Sequence, residues 1–519
     1  MIRDNKLHKI LPLLLGISLL SGITVRKVQA KEQEPYPAII YRHYPSVSPD
    51  LYNASMIDFG PTNDMDRLAL SSPQAAKERA QQLKDLGFNL VMYSGRHFRL
   101  SYEPEWPFID QAAHNVTEAC HALGIKVIEH HEFTIPAYNS YPIMLSRLDE
   151  LQYDINTVEP LRWFSPENPE FLTFYENYLG KLQHAANFDA MLLDEIATAG
   201  RNSQGDRLKF EEETGLKMPY WVNEYSPPDT EAYRIWQRWR SGMATRVKEK
   251  LLHYLRTIRP DISLIGYSSD YEQSGTAGRV DLEQMVSRYC SFMGMEDVSE
   301  ESLNGWRPIL RSLKLRQGYG DYYGIPTWSI EQRFGGNLKS NYTAWALTQL
   351  AKTSIWVGHS LANSETNRAY LKRFIGWGKA MPHRYARTLT DTGFLMSNQT
   401  RRSSTRSTFY FDDCAGWAEL LLEGNKQFDT LLDGDFYLPN RLHKYKVLIL
   451  ASSASLAETQ AQRLQDWVHQ GGTAIVTRNT SLYDAEGKEL SQFCLGKAMN
   501  LRYEKYIPTP SQIKGEIGG

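Results

Sequence analysis

From residue 37 to about residue 385, short apolar runs alternate with amphipathic stretches of helical period. That alternation is the pattern of a parallel sheet whose strands are joined by crossover helices. The apolar runs fall at residues 38–41, 88–93, 126–130, 190–194, 263–267, 291–295, 327–330 and 354–357, with 55–58 as a second choice for the first. Most are continuously apolar, which marks strands covered on both faces. Eight is the number that closes a (β/α)8 TIM barrel, the fold expected for residues 31–388. Between the strands, Ser72-Pro73 opens a helix that ends at Gly87. A second runs from about Asp110 to Leu123 and stops at Gly124, and a long basic one covers residues 230–258 before Pro260. A doubly wound open sheet is the competing architecture, but no Gly-rich phosphate or dinucleotide loop follows any of these runs.

A second region, residues 389–519, carries a strand at 446–450 and a helix at 457–469 with Leu464, Trp467 and Val468 on one face. Gly471-Gly472 closes that helix, and a further strand follows at 473–477. This is one βαβ unit of a smaller flavodoxin- or amidotransferase-like α/β domain. No Cys or Ser suggests a nucleophile at a sharp strand-to-helix turn, so a packing or oligomerisation role is expected. The chain ends soon afterwards, so the domain reads as shortened.

Residues 1–30 read as a signal peptide. Arg3, Lys6 and Lys9 precede an apolar stretch from Ile10 to Val25, and Val28-Gln29-Ala30 offers a small-residue cleavage site. The stretch is short and broken by Ser and Gly, which argues against a lasting membrane anchor. The mature chain is expected to be exported, to the periplasm or beyond. Cys120, Cys290, Cys414 and Cys494 are too scattered for a disulfide scaffold or a zinc cluster. Cys414 and Cys494 share a region and could pair, but free thiols are the simpler expectation.

A formal net charge of −2 with 23% charged residues offers nothing for a nucleic acid to recognise. Twelve Trp and 30 Tyr supply flat amphipathic rings that suit stacking on sugars, although large cores use them too.

Candidate chemistry collects where the strands end. Arg42 and His43 follow the first, and Arg96 and His97 the second. His130, His131 and Glu132 end the third, and Asp194-Glu195 ends the fourth. Asp270 follows the fifth, Glu296-Asp297 the sixth, Glu331 the seventh and His359 the eighth. In a barrel all of these would face one bowl. Glycoside cleavage requires two carboxyl groups, one to attack or activate water and one to protonate the departing oxygen. Strands four and seven lie across the mouth from one another, so Asp194 or Glu195 with Glu331 forms a sensible pair. His130, His131 and the acids lack the spacing of a metal site, and neither metal nor cofactor is expected.

At this point the chain resembles the barrel glycoside hydrolases that carry a β-galactosidase-type trimerisation domain. These include family 42 β-galactosidases, family 151 α-L-fucosidases and a group of hypothetical glycosyl hydrolases. Residues 445–450 through 480–484 are similar to the trimerisation domain, and residues 210–219 to the hypothetical hydrolases. Phe188-Asp189-Ala190-Met191-Leu192-Leu193-Asp194 resembles the fucosidase fourth strand, whose last Asp is the nucleophile. His130-His131-Glu132 looks like the tandem-His pattern those enzymes use for sugar hydroxyls, with Glu in place of Asp. The family 42 pattern would instead place Asn before a fourth-strand Glu acid/base, where this chain has Asp194, and Glu331 matches its seventh-strand nucleophile.

The resemblance implies an exported, retaining enzyme acting on a carbohydrate, first of all on α-L-fucosides. Asp194 is then the nucleophile and Glu331 the acid/base, with Glu195 and Glu296 in reserve. Arg42, His97, His130, His131 and His359 would bind sugar hydroxyls, and Trp328 and Trp356 would form a stacking floor. A β-galactosidase-like enzyme and a sugar-binding barrel without catalysis are the alternatives. The trimerisation-type region implies a homotrimer or another homo-oligomer.

Overall fold

Eight parallel strands close into a barrel in the computed structural model. It describes residues 55–58, 72–94, 106–134, 141–153, 159–194, 204–219, 230–268, 289–296, 306–331, 338–357, 364–380, 386–403 and 407–504. The first ten strands in chain order are β1 (Ser55–Asp58), β2 (Leu90–Tyr93), β3 (Lys126–Glu132), β4 (Leu151–Tyr153), β5 (Pro160–Phe164), β6 (Ala190–Asp194), β7 (Ser263–Ser268), β8 (Cys290–Glu296), β9 (Thr327–Glu331) and β10 (Ser354–Val357). Around the barrel the order is β1, β10, β9, β8, β7, β6, β3, β2. The antiparallel β4–β5 hairpin lies outside it, in the connection after β3.

One boundary is corrected. Ser55–Asp58, not residues 38–41, is the first barrel strand, pairing with β2 and β10 and so closing the ring. Residues 38–41 are the more apolar run, Ser55–Asp58 being apolar only at Met56 and Ile57, and only the pairing partners identify the barrel strand. Residues 38–41 lie outside the described residues, and Arg42 no longer has a barrel strand to follow.

The helices follow their sequence signals. They are α1 (Pro73–Leu86), α2 (Trp106–Ala122), α3 (Pro169–Ala186), α4 (Gln204–Thr214), α5 (Glu231–Ile258), α6 (Trp306–Tyr323), α7 (Leu338–Ala351) and α8 (Glu365–Ala380). α1 starts on Pro73 and stops at Gly87, whose φ of 100° a residue with a side chain adopts only under strain. Thr230 caps α5 by accepting from the Tyr233 N–H. Asn168 caps α3 in the same way through the Glu170 and Phe171 N–H groups.

β6 is anchored where it begins. Asp189 accepts from His121 Nε2 at 2.9 Å, Lys126 Nζ at 2.8 Å, the Val127 backbone N–H at 2.9 Å and an Arg259 guanidinium nitrogen at 3.0 Å. This ties β6 to β3, to the end of α2 and to the turn after α5. Burial alone would raise its pKa, but the bonds from His121, Lys126 and Val127 hold the carboxyl well below the usual carboxylate range.

The second region is larger than one βαβ unit. Four parallel strands, β11 (Thr392–Met396), β12 (Asp429–Leu432), β13 (Val447–Leu450) and β14 (Thr473–Val476), form a sheet in the order β12, β11, β13, β14. Helices α9 (Ser407–Glu423) and α10 (Glu458–His469) connect them. Ser452, just past β13, has a φ of 44° and donates to the Asp413 carboxylate, so a Ser does stand in strained backbone at a strand end. It is buried, 2% exposed.

The two sheets share one continuous apolar core, which runs from Leu313 and Tyr319 of α6 to Phe394, Cys414 and Phe428. α6 lies between them. Gly318 permits the approach, because a Cβ there would lie 2.7 Å from the Thr430 methyl. The Thr430 hydroxyl donates to the Lys314 carbonyl at 2.7 Å across the same seam. All four cysteines are free thiols, and Cys414 and Cys494 are not paired.

Candidate active site

Alternation along the strands sends every second side chain into the barrel. The interior layer comprises Leu90, Met92, Ile128, Ala190, Leu192, Ile265, Phe292, Trp328 and Trp356. Trp328 stacks on Phe292 at 6.0 Å and meets Trp356 edge to face at 4.8 Å. It covers Gly294 so closely that a Cβ there would lie 2.3 Å from its ring.

Trp328 is 0% exposed, which overturns its expected substrate-binding role: it is barrel core, below the surface a sugar could reach. Trp356 is 5% exposed and turns its ring toward His130 at 6.3 Å.

Above this layer, two of the expected polar site residues are joined by a hydrogen bond. His130, on β3, continues the inward series of Ile128, and Asp194, at the end of β6, continues Ala190 and Leu192. His130 Nε2 lies 2.9 Å from Asp194 Oδ2, with the two side chains 12% and 20% exposed. Its other ring nitrogen, Nδ1, is 3.3 Å from Ser94 Oγ at the end of β2. With Nε2 carrying the proton, the imidazole donates to the carboxylate and Nδ1 accepts from the Ser94 hydroxyl. The chain Ser94–His130–Asp194 thus fixes the ring and presents an acceptor-only carboxylate at the C-terminal mouth, where barrels of this kind do their chemistry.

His131 departs from expectation. One position further along β3, it points outward, is 0% exposed, and packs 5.9 Å from Tyr175 and 5.6 Å from Tyr178 of α3. Adjacent strand residues face opposite ways, so two tandem histidines cannot both reach one bowl from a regular strand. Glu296 and Glu331 are the last residues of β8 and β9, with backbones paired to Ile330 and Val357. Both therefore stand on the mouth side. Glu195, His97, His359 and Arg42 lie outside the described residues.

Two neighbours escaped the sequence reading. Ser94 is the first residue after an apolar strand, the position at which polar residues had been sought. Lys248 sits at a core-facing position of α5, among Met243, Ala244, Val247, Leu251 and Leu255. A lysine on an apolar helical stripe was the available signal. It is 3% exposed and donates to the Leu193 carbonyl at 2.8 Å. Burial lowers its pKa to about 8, with the nearby Asp194 charge pulling the other way.

No family model matches this chain, and no curated protein sequence does. Among solved structures it is similar to the β-galactosidase of the psychrophilic Marinomonas ef1, with a TM-score of 0.63 and 12% identity over 85% of this chain and 79% of that one. It is similar also to the β-galactosidase of Bacillus circulans sp. alkalophilus, with a TM-score of 0.61 and 11% identity over 86% and 74%. A family 42 β-galactosidase from G. stearothermophilus matches at 0.63 and 12%, over 86% and 75%. At these identities the likeness is one of fold.

Proposed function

We propose that this chain is a retaining glycoside hydrolase that acts on α-L-fucosides. The observation that carries the reading is the Asp194 carboxylate, held by His130 Nε2 at 2.9 Å at the mouth end of the fourth barrel strand. An imidazole N–H stabilises the ionised form, and ionised is the form a nucleophile requires. In this scheme an Asp194 oxygen attacks the anomeric carbon as the bond to the leaving oxygen breaks, and the Glu331 carboxyl gives that oxygen its proton. The glycosyl-enzyme ester is then hydrolysed by water, with Glu331 taking the proton back. Glu296 is the reserve acid, one strand away. The leader segment would export the enzyme, and the second sheet would assemble it into a homo-oligomer.

A second reading is favoured by the fold shared with β-galactosidases: Glu195 as acid/base and Glu331 as nucleophile, acting on β-D-galactosides, with Asp194 binding a sugar hydroxyl. Turnover of aryl α-L-fucoside and aryl β-D-galactoside, by the chain from Lys31 and by its Asp194→Ala variant, tests both. Release from the fucoside, lost in the variant, supports the first. Release from the galactoside alone moves the assignment to Glu195 and Glu331. Undiminished fucoside turnover by Asp194→Ala would sink the nucleophile assignment.

A further inference from the structure

We propose that Lys248, buried on the outer side of the barrel wall, is a positioning residue for Asp194: it pins the last peptide of β6 and holds a positive charge behind the carboxylate. This rests on the reading of Asp194 as the working carboxylate. An ammonium group buried to 3% exposure is costly to desolvate, and a methionine would fill the same apolar stripe without that cost. Among the described residues Lys248 makes no ion pair, and its hydrogen bond goes to the Leu193 carbonyl, the peptide that leads into Asp194. The charge therefore acts at the one point of β6 where strand meets site.

Among the described residues, the groups facing Lys248 are Asp194, Cys290 and Tyr289. Asp194 lies on β6 and interacts with it electrostatically. Cys290 on β8 is pushed by burial up to about 12 and stays a neutral thiol. The Tyr289 ring is 5.9 Å away, and its buried phenol is raised well above its ordinary value. Asp194 itself faces His130 on the adjacent strand β3. Among the described residues, Asp194 is thus the negative charge that Lys248 serves.

Two consequences follow. A fixed positive charge beside the strand end lowers a neighbouring carboxyl pKa, so its removal is expected to raise the Asp194 midpoint by about one unit. The pinned peptide keeps the carboxylate aimed, so its loss reduces kcat more than it changes KM. Lys248→Met removes both effects, Lys248→Gln keeps a donor for Leu193 but no charge, and Lys248→Arg keeps the charge.

The test is an NMR titration of 13C-labelled aspartate carboxyls in the full chain, with the Asp194 signal assigned by its absence from Asp194→Asn. The expected result is an Asp194 midpoint about one unit higher in Lys248→Met and Lys248→Gln, restored in Lys248→Arg. An unchanged midpoint in a folded Lys248→Met or Lys248→Gln overturns the proposal. The measurement needs no substrate. A chain that hydrolyses neither glycoside yet shows the Lys248-dependent midpoint would refute both substrate readings and leave this one standing.

Discussion

Replacing Asp189 by Ala removes the acceptor shared by His121, Lys126, Val127 and Arg259, at the opposite end of the strand that finishes in Asp194. The cost follows from what each partner loses. The Val127 N–H is left without its acceptor, about 1–3 kcal/mol. Arg259 keeps Asp261 and the carbonyls of Asn187 and Phe188, so its charge is not stranded. Its lost bond to the carboxylate adds about 1–2 kcal/mol. Lys126 is 48% exposed, and its pair contributes little once screened.

His121, 28% exposed, adds little, so the sum is about 2–5 kcal/mol, with about 3 as the working value. For a chain of 519 residues unfolding as a unit, with about 2.1 cal/mol/K per residue, that lowers Tm by about 3 °C. The pH dependence has a definite sign. Because the folded pKa is depressed, the contribution is fully present above the unfolded Asp value near ~4 and is lost as pH falls below it. The assay is thermal unfolding by circular dichroism of wild type and Asp189→Ala from pH 3 to 8. A gap of about 3 °C at pH 7 that narrows below pH 4 is expected. A gap under 1 °C at pH 7, or one that widens in acid, would refute the reasoning. Km for the substrate should not change, since the residue is at the far end of the strand from the mouth.

The two adjacent histidines should separate cleanly. His130→Phe removes the N–H held against Asp194 and should lower kcat/KM by about 10²-fold, whereas His131→Phe, packed between Tyr175 and Tyr178, should cost stability and leave kcat/KM within about threefold. Equal losses of activity in both would mean that His131 reaches the site. Gly294→Ala should destabilise the barrel by about 1–3 kcal/mol, because its Cβ would lie 2.3 Å from the Trp328 ring in a fully packed interior. Chemical denaturation checks this, and an unchanged midpoint would show that Trp328 has room to move.

Much of this molecule is written in periodicity. Continuous apolar runs such as Ala190 to Leu193, separated by helices bounded by Ser72-Pro73, Gly87, Gly124 and Thr230, determine a parallel sheet with crossovers, because burial and capping are local requirements. Alternation along a strand also implies that His130 and His131 face opposite ways, as their surroundings bear out. The mouth-side position of Asp194 and Glu331 follows from chain direction alone.

Other features depend on which segments meet. Pairing with both β2 and β10 selects residues 55–58 over 38–41 as the closing strand, and no local pattern carries that information. Trp328 could have been a platform or core until the ring of neighbours around it was complete. Strands β11 and β12 are short and owe their place to partners on β13 and α6. The Ser94–His130–Asp194 chain joins three strands 36 and 64 residues apart, and Lys248 reaches Leu193 across 55. Hydrogen bonds of that reach are set by strand order, which brings residues distant in sequence within 3.3 Å and which only the tertiary structure decides.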